Sequence, residues 1–463
     1  MKENIELLTA ETKLLLETGD ISMLRMFLDD QNISDVEDLI DELPDYAPLF
    51  IDTMSIKRAI NVFRILDAPT QERIAKKLTG NKIAEIVNGL PPDDRTSFLG
   101  ELRDQELQHR LISLLTPEDR KEVFMLLSYP EDSIGRMMTP DFLAISKDYT
   151  VEEALKYIRH NGKNSETIDV IYILDEKGAL IDDLRIRELL INDPQKKISE
   201  LIDGRLIYLN AQDPLEEGIK TFKMNNRVAL PVIDSAGLLL GIVTIDDILW
   251  AADEEYAEDM QRMGGTAALD EPYLDLPVYK LIWKRAGWLI VLFVGELLTA
   301  SVMQHYEEQL AQVIVLALFL PLMISSGGNS GSQASTLVIQ AMATGEVKLK
   351  DWWRVFRREV ISGLSLGIIL GVIGFFRIYI WHLIFPSLYG EHWTMVGSTV
   401  SLALVGIVLW GSLIGSMLPF ILRRLGADPA TSSAPFVATI VDVTGLIIYL
   451  TIASWIFGPL MNG

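Results

Sequence analysis

Residues 430–458 read ATSSAPFVATIVDVTGLIIYLTIASWIFG, a stretch in which Asp442 is the one charged side chain. A helix needs about 20 predominantly apolar residues to cross the hydrocarbon of a bilayer, and this segment supplies them. Working toward the N-terminus, four more apolar stretches lie near 283–305, 311–343, 359–385 and 395–422, separated by short polar breaks. An all-α domain of five spans over 279–463 is therefore expected. The second stretch is longer than one crossing needs and is interrupted by Pro321 and by Ser325 to Ser332. It is expected to be bent or broken, or to leave the bilayer in its last turns. Lys280, Lys284 and Arg285 precede the first span, Lys348, Lys350, Arg354, Arg357 and Arg358 surround the second break, and Arg423 and Arg424 mark the fourth. Residues 305–309, 386–393 and 459–463 hold no Lys or Arg. Positive charge collects on the cytoplasmic side, so the N-terminus is expected inside the cell and the C-terminus outside.

At 463 residues the chain exceeds the roughly 250 to 300 residues at which single cores stop growing, so several domains are expected. Residues 1–279 carry 30 of the 41 Lys and Arg and 55 of the 64 Asp and Glu, so the whole acidic excess lies before the spans. That balance argues against nucleic acid, whose binding rests on Lys and Arg displacing counterions, and favours cationic partners. Without cysteine there is no disulfide scaffold, thiolate metal site or Cys nucleophile. Residues 1–20 are polar and acidic, unlike a signal peptide, so the N-terminus is expected to stay in the cytoplasm.

Residues 1–130 read as short helices with recurring punctuation. Leu66–Arg73 (LDAPTQER), Leu90–Arg95 (LPPDDR) and Leu115–Arg120 (LTPEDR) each set Pro and acidic residues ahead of an Arg, and proline with carboxylates suits a helix start. Stacked helical hairpins forming a small superhelix are expected. A second repeat follows. Val151–Ile158 (VEEALKYI) matches Leu215–Phe222 (LEEGIKTF), and Ile171–Asp175 (IYILD) matches Leu230–Asp234 (LPVID). Each unit reads as helix, apolar strand, Asp turn with a Gly, second strand and helix.

Within the spans, Gly363, Gly367 and Gly371 recur every fourth residue, as do Gly327 with Gly331 and Gly411 with Gly415. Such spacing lets helix backbones approach closely. Ionisable groups in a span are costly and are functional candidates by default. Asp442 lies deep in the fifth span and Glu296 deep in the first, while Glu359 and Arg377 lie nearer span ends. A purely structural Asp442 would bond Thr439 or Thr444, or be held protonated. In the second span, Pro321 and the paired Gly327 and Gly328 are expected to loosen the helical ladder and free carbonyls beside Asn329 and Gln333, which lie one turn apart, and Ala438 and Asp442 of the fifth span are further pore candidates. An oxygen-only surface with one carboxylate suits a hard cation, magnesium or calcium, rather than zinc or copper. Between the second repeat and the first span, Asp246, Asp247, Asp253, Glu254, Glu255, Glu258 and Asp259 crowd seven carboxylates onto one segment. Like charges splay it and divalent ions draw it together. Asp93, Asp94, Asp213 and Glu216 are the expected partners, and Trp250 stands amid the run.

The segment Gly241–Ile248 (GIVTIDDI) resembles the nucleotide-side motif of tandem CBS domains, which implies adenosine contacts at Thr244 and Asp247. The matching segment, Asp182–Leu190 (DDLRIRELL), lacks the Gly and the hydroxyl, so at most one adenosine (ATP) site is expected. The plainer reading is that Thr244 caps the following helix.

Four motifs in order, Ser128–Pro140 (SYPEDSIGRMMTP), Pro321–Gln333 (PLMISSGGNSGSQ), Gly426–Ala430 (GADPA) and Ala438–Leu446 (ATIVDVTGL), resemble the MgtE family of magnesium channels along the whole chain. The resemblance implies a helical N-domain (1–130), α/β CBS units (131–200 and 201–250), a connecting plug helix (251–278) and the five-span domain. It also implies a non-enzymatic homodimer of the inner membrane, with a pore from the second and fifth spans of both copies and the Asp442 pair at the selectivity site. Cytoplasmic magnesium bound among the acidic groups would hold it shut. A coupled secondary transporter for divalent cations is the alternative, since interrupted helices with a midplane carboxylate also serve carriers. A CBS-regulated anion channel is disfavoured by the intramembrane Asp, and an intramembrane metalloenzyme by the absence of a His-rich or paired-Asp constellation.

Overall fold

The structure, a computed structural model, describes residues 2–269, 273–274, 276–307 and 313–461. It divides into two compact units, Met1–Asp253 and Glu254–Gly463.

The first unit begins with ten short α-helices between Lys2 and Leu127, packed around a core that includes Phe50, Phe63, Ile74, Ile83, Leu99 and Leu111. The final carbonyls of a helix lack intrahelical partners, and here one residue per repeat supplies them. Gln71 Nε2 donates to the Phe63 carbonyl at 2.8 Å, Arg95 Nε to Val87 at 3.0 Å and Arg120 Nε to Ile112 at 3.1 Å, each eight positions back. The guanidiniums reach further, Arg95 Nη2 to Asn88 and Leu90 and Arg120 Nη2 to Ser113 and Leu115. The repeat register is therefore Gln71, Arg95 and Arg120. Arg73, aligned with these arginines on sequence, turns to Thr70 Oγ1 instead, at 3.0 Å.

The two α/β repeats follow with matching topology. In the first, β1 (Ala144–Ser146) runs parallel to β2 (Val170–Leu174), which is antiparallel to β3 (Leu180–Arg185). In the second, β4 (Leu209–Asn210), β5 (Ala229–Ile233) and β6 (Leu239–Thr244) repeat the pattern, with a register shift at the same place. The short β1 and β4 precede the helix–strand–turn–strand–helix expected from sequence. In both turns the acid organises the backbone. Asp175 Oδ1 accepts from Lys177 and Ala179, and Asp234 Oδ1 from Ala236 and Leu238. The turns then join, Leu180 N–H to Gly237 O and Leu239 N–H to Gly178 O. A helix from Ile245 to Met263 leaves the second repeat.

In the second unit, among the described residues, five helices are long and apolar enough to cross a membrane. They are Val278–His305, Leu320–Ala343, Trp352–Ile384, Trp393–Arg424 and Ala434–Met461, called below the first to fifth spans. The expected break in the second span is not found, because Ser325 to Ser332 lies within its α-helix. Pro321 falls in the first turn, where its missing N–H costs nothing. Open backbone in hydrocarbon has no water to satisfy it, so the ladder holds and the small residues serve packing. A methyl group on Gly411 would lie 2.5 Å from the Gly327 carbonyl, and one on Gly415 would overlap that of Gly331, so the second and fourth spans cross with backbones touching. Gly363, Gly367 and Gly371 meet the fourth span from the third in the same way.

Candidate functional site

Asp442 stands eight residues into the fifth span, roughly 12 Å along the helix axis. Its carboxylate lies over Gly328 of the second span: a β-carbon built there would be 3.3 Å from Asp442 Oδ1 and 3.4 Å from Ala438 Cβ. The two threonines that could have held it structurally do not. Thr439 Oγ1 donates to the Pro435 carbonyl at 3.0 Å and Thr444 Oγ1 to that of Ile440 at 2.7 Å, while Trp410 Nε1 donates to Thr444 at 2.9 Å. On the first span, Gly295 packs against Thr439, and the neighbouring Glu296 is exposed in the single chain.

Beside Asp442 the second span shows two faces. Gly327, Gly328, Gly331, Ala334 and Ser335 are buried against other spans, whereas Ser325, Asn329, Gln333, Thr336 and Gln340 form an exposed polar stripe at helical spacing. Asn329 Nδ2 reaches back to Ser325 Oγ at 3.4 Å. The stripe consists of side-chain amides and hydroxyls, not of the freed carbonyls expected, since the helix there is intact.

The first unit gathers part of the expected acidic set. Asp93 is 7% exposed, and its Oδ1 has no hydrogen-bond partner among the described residues. Burial, together with the Asp247 and Asp94 carboxylates, holds its carboxyl well above the usual range. Burial also raises Asp94 to about 6, although the Arg64 guanidinium lies 2.8 Å away. Asp247 is raised to about 7, first by burial and then by Asp246, Asp94 and Glu166, against a hydrogen bond from Thr244 that lowers it. Glu166, from the loop after the helix Val151–Asn161, was not legible as a member. It joins groups more than 70 positions away in sequence, and no local signal marks it. Among the described residues no three acidic or imidazole side chains converge on one point as a ready-made metal shell.

Other expected members lie elsewhere. Asp213 Oδ2 accepts from the Asn210 backbone and side chain at 3.1 and 2.9 Å, organising a turn, and Glu216 is exposed. Asp253, Glu254, Glu255, Glu258 and Asp259 follow along the helix Ile245–Met263, where Trp250 is exposed and Glu258 pairs with Arg262. Thr244 Oγ1 donates to Asp247 Oδ2 at 2.5 Å. At the equivalent strand position to Gly241, the first repeat has Asp182, buried and accepting from the backbone of Asp183, Asp203 and Gly204. Arg185 occupies the register of Thr244.

The chain matches family models for the MgtE intracellular N domain over residues 31–132, for CBS domains over 134–192 and 198–254, and for a divalent cation transporter, MgtE, over 320–452. It is 36% identical over 441 residues to the magnesium transporter MgtE of Thermus thermophilus, covering 95% of this chain and 96% of the relative. The chain belongs to the MgtE family of magnesium transporters. A second MgtE, from Bacillus subtilis, is 28% identical over 95% of both chains. The solved cytosolic domain of the Mg2+ channel MgtE in complex with ATP matches 52% of this chain and 99% of its own length, at 32% identity and a TM-score of 0.51. The expected fold class thus stands: a helical N domain, tandem CBS domains and a five-span helical region, in a membrane-spanning family of transporters and not of enzymes. The transporter match includes both Gly328 and Asp442.

Proposed function

We propose that this MgtE protein is a magnesium channel of the inner membrane. In this reading it is a homodimer, with a cytoplasmic N-terminus and an external C-terminus, closed by cytoplasmic magnesium. The observation that carries the proposal is the juxtaposition of an intramembrane carboxylate, Asp442, with the polar stripe Ser325, Asn329, Gln333, Thr336 and Gln340, exposed in the single chain. Amides and an acid have no place against lipid tails. Pairing two copies across the second and fifth spans encloses the stripe in a water-filled path and sets two Asp442 carboxylates opposite each other.

Magnesium dehydrates reluctantly. A path lined by hydroxyls, amides and carboxylates accepts and donates hydrogen bonds to the ion's water shell without stripping it. The Asp442 charges hold the hydrated cation and repel anions, and Glu296 adds negative potential nearby. Regulation rests on Asp93, Asp94, Asp246 and Asp247 with Glu166, and on the acidic run from Asp253 to Asp259. Crowded buried carboxylates such as Asp93 are poor neighbours until a divalent ion shares their charge, so bound magnesium favours the compact arrangement. Nucleotide, found with the solved relative's cytosolic domain, would bind at Thr244 and Asp247 after their mutual hydrogen bond opens.

The test is current through the full chain in planar bilayers under opposed magnesium gradients. A channel gives current that reverses at the magnesium equilibrium potential and falls as cytoplasmic-side magnesium rises to millimolar levels. Flux that depends on a second ion gradient would indicate a coupled carrier instead.

A further inference from the structure

The head of the fifth span is held from three sides. Gly426, at φ +79°, ends the fourth span, a short turn runs from Pro429 to Thr431, and the helix begins at Ala434. Between them, Ser432 and Ser433 are completely buried. From the second span, Ser332 Oγ donates to the Ala434 carbonyl and Ser335 Oγ to the Ser432 carbonyl, both at 3.0 Å. From the first, Trp288 Nε1 donates to Ser433 Oγ at 3.0 Å. These bonds tie the fifth span to its neighbours within the membrane domain.

The third contact comes from the end of the helix Ile245–Met263. Arg262 Nη1 donates to Asp428 Oδ2 at 3.0 Å, while Asp428 Oδ1 accepts the Ala430 N–H at 2.8 Å and so organises the turn itself. The other arm, Nη2, donates to Glu258 Oε2 at 2.6 Å, one helical turn earlier. Just beyond, Gly265 at φ +75° brings the backbone against Trp288 and Pro435, where a β-carbon would lie 2.7 Å from the Trp288 indole. The connecting helix thus meets the head of the fifth span through one guanidinium and one bare stretch of backbone. A lysine could not copy the first contact, because one planar fork satisfies two carboxylates at once.

We propose that Arg262 is a positioning residue for the response to magnesium: a built-in cation that bridges Glu258 to Asp428 and couples the connecting helix to the span that carries Asp442. The inference rests on reading the acidic assembly as the magnesium sensor of a pore. Glu258 belongs to that acidic run, so an ion that takes Glu258 must compete with Arg262. Binding on the helix thereby changes the grip on Asp428. The ion pair is only about two-thirds buried, and exposed pairs of this kind contribute modestly, so the latch tunes the response and does not create it.

The experiment compares magnesium uptake by full-length protein in proteoliposomes at micromolar and at millimolar magnesium on the cytoplasmic face. In Arg262→Gln, uptake at low magnesium should stay near wild type, and the ratio between the two conditions should fall about three- to tenfold. Arg262→Glu should lower the ratio at least as far, since it sets a third carboxylate beside Glu258 and Asp428. Arg262→Lys, which reaches one acid and not both, should keep part of it, a graded response to charge that a purely structural role would not give. If Arg262→Gln fails to assemble, Arg262→Lys decides, with a partial loss of the ratio expected. A wild-type ratio in the neutral or lysine variant overturns the latch alone. A wild-type protein indifferent to magnesium overturns the sensor reading, and the latch with it.

Discussion

The Asp442 carboxylate rests on the bare Cα of Gly328, where a methyl group would lie 3.3 Å from Oδ1. That distance is at the edge of ordinary contact, and Ala438 closes the other side at 3.4 Å. Gly328→Ala should therefore keep the protein assembled and lower magnesium uptake several-fold, by crowding the acid and its ion. Gly328→Leu should abolish uptake. Full uptake by an assembled Gly328→Leu protein would mean that this face is no part of the ion path.

The polar stripe gives a separate test, made clean by the complete absence of cysteine from the chain. Cysteine placed at Asn329 or Gln333 should react with a charged, water-borne thiol reagent, and modification should block uptake. Cysteine at Ile373, on the exposed apolar face of the third span, should not react. Equal reactivity at the two faces would contradict an enclosed aqueous path along the second span.

The buried acids of the first unit set a pH dependence. An Asp whose folded pKa is raised favours the folded state at low pH, and that stability is lost as pH rises through the folded value. For Asp94 and Asp247, raised to about 6 and about 7 from an unfolded value near 4, the window runs from about pH 4 to about 7. Above it the carboxylates repel one another and magnesium has charge to neutralise. Magnesium should thus raise the melting temperature of the protein far more at about pH 8 than at about pH 5.5, where protons already do the same work. Sodium chloride at equal ionic strength should protect less, since screening builds no bridge. The same magnesium shift at both pH values would show that these acids do not bind it.

Arg95 is 4% exposed and joins three carbonyls to Asp119 at 2.7 Å. Arg95→Ala leaves all of these groups without the guanidinium and should cost roughly 3 kcal/mol in the helical domain. Gln71→Ala removes one amide bond to Phe63 and should cost about 1 kcal/mol. Hydrogen exchange of amides from Ile56 to Leu127 in the full-length protein measures both losses, and unchanged protection around Phe63 in Gln71→Ala would contradict the repeat assignment.

The spans and Asp442 were legible because twenty apolar residues have few other places to go, and an acid among them stands out. The CBS repeats were legible from paired helix and strand motifs, but β1 and β4, three and two residues long, are too short to show alternation. Matching arginine to arginine hid the true register at Gln71, since an amide and a guanidinium can serve the same carbonyl. The glycines and serines of the second span pointed to a broken helix by the standards of water, whereas in a span they mark close packing. Glu166 and the Arg262–Asp428 pair depend on chain segments meeting in three dimensions, which spacing alone does not disclose.

The most direct test of the central claim is magnesium uptake by Asp442→Asn in proteoliposomes. The substitution keeps the shape of the side chain over Gly328 and removes only its charge, so assembly should match wild type. The pore reading expects uptake to fall about tenfold or more, because a neutral midpoint no longer holds a divalent cation in hydrocarbon surroundings. Wild-type uptake by a fully assembled Asp442→Asn protein would contradict it.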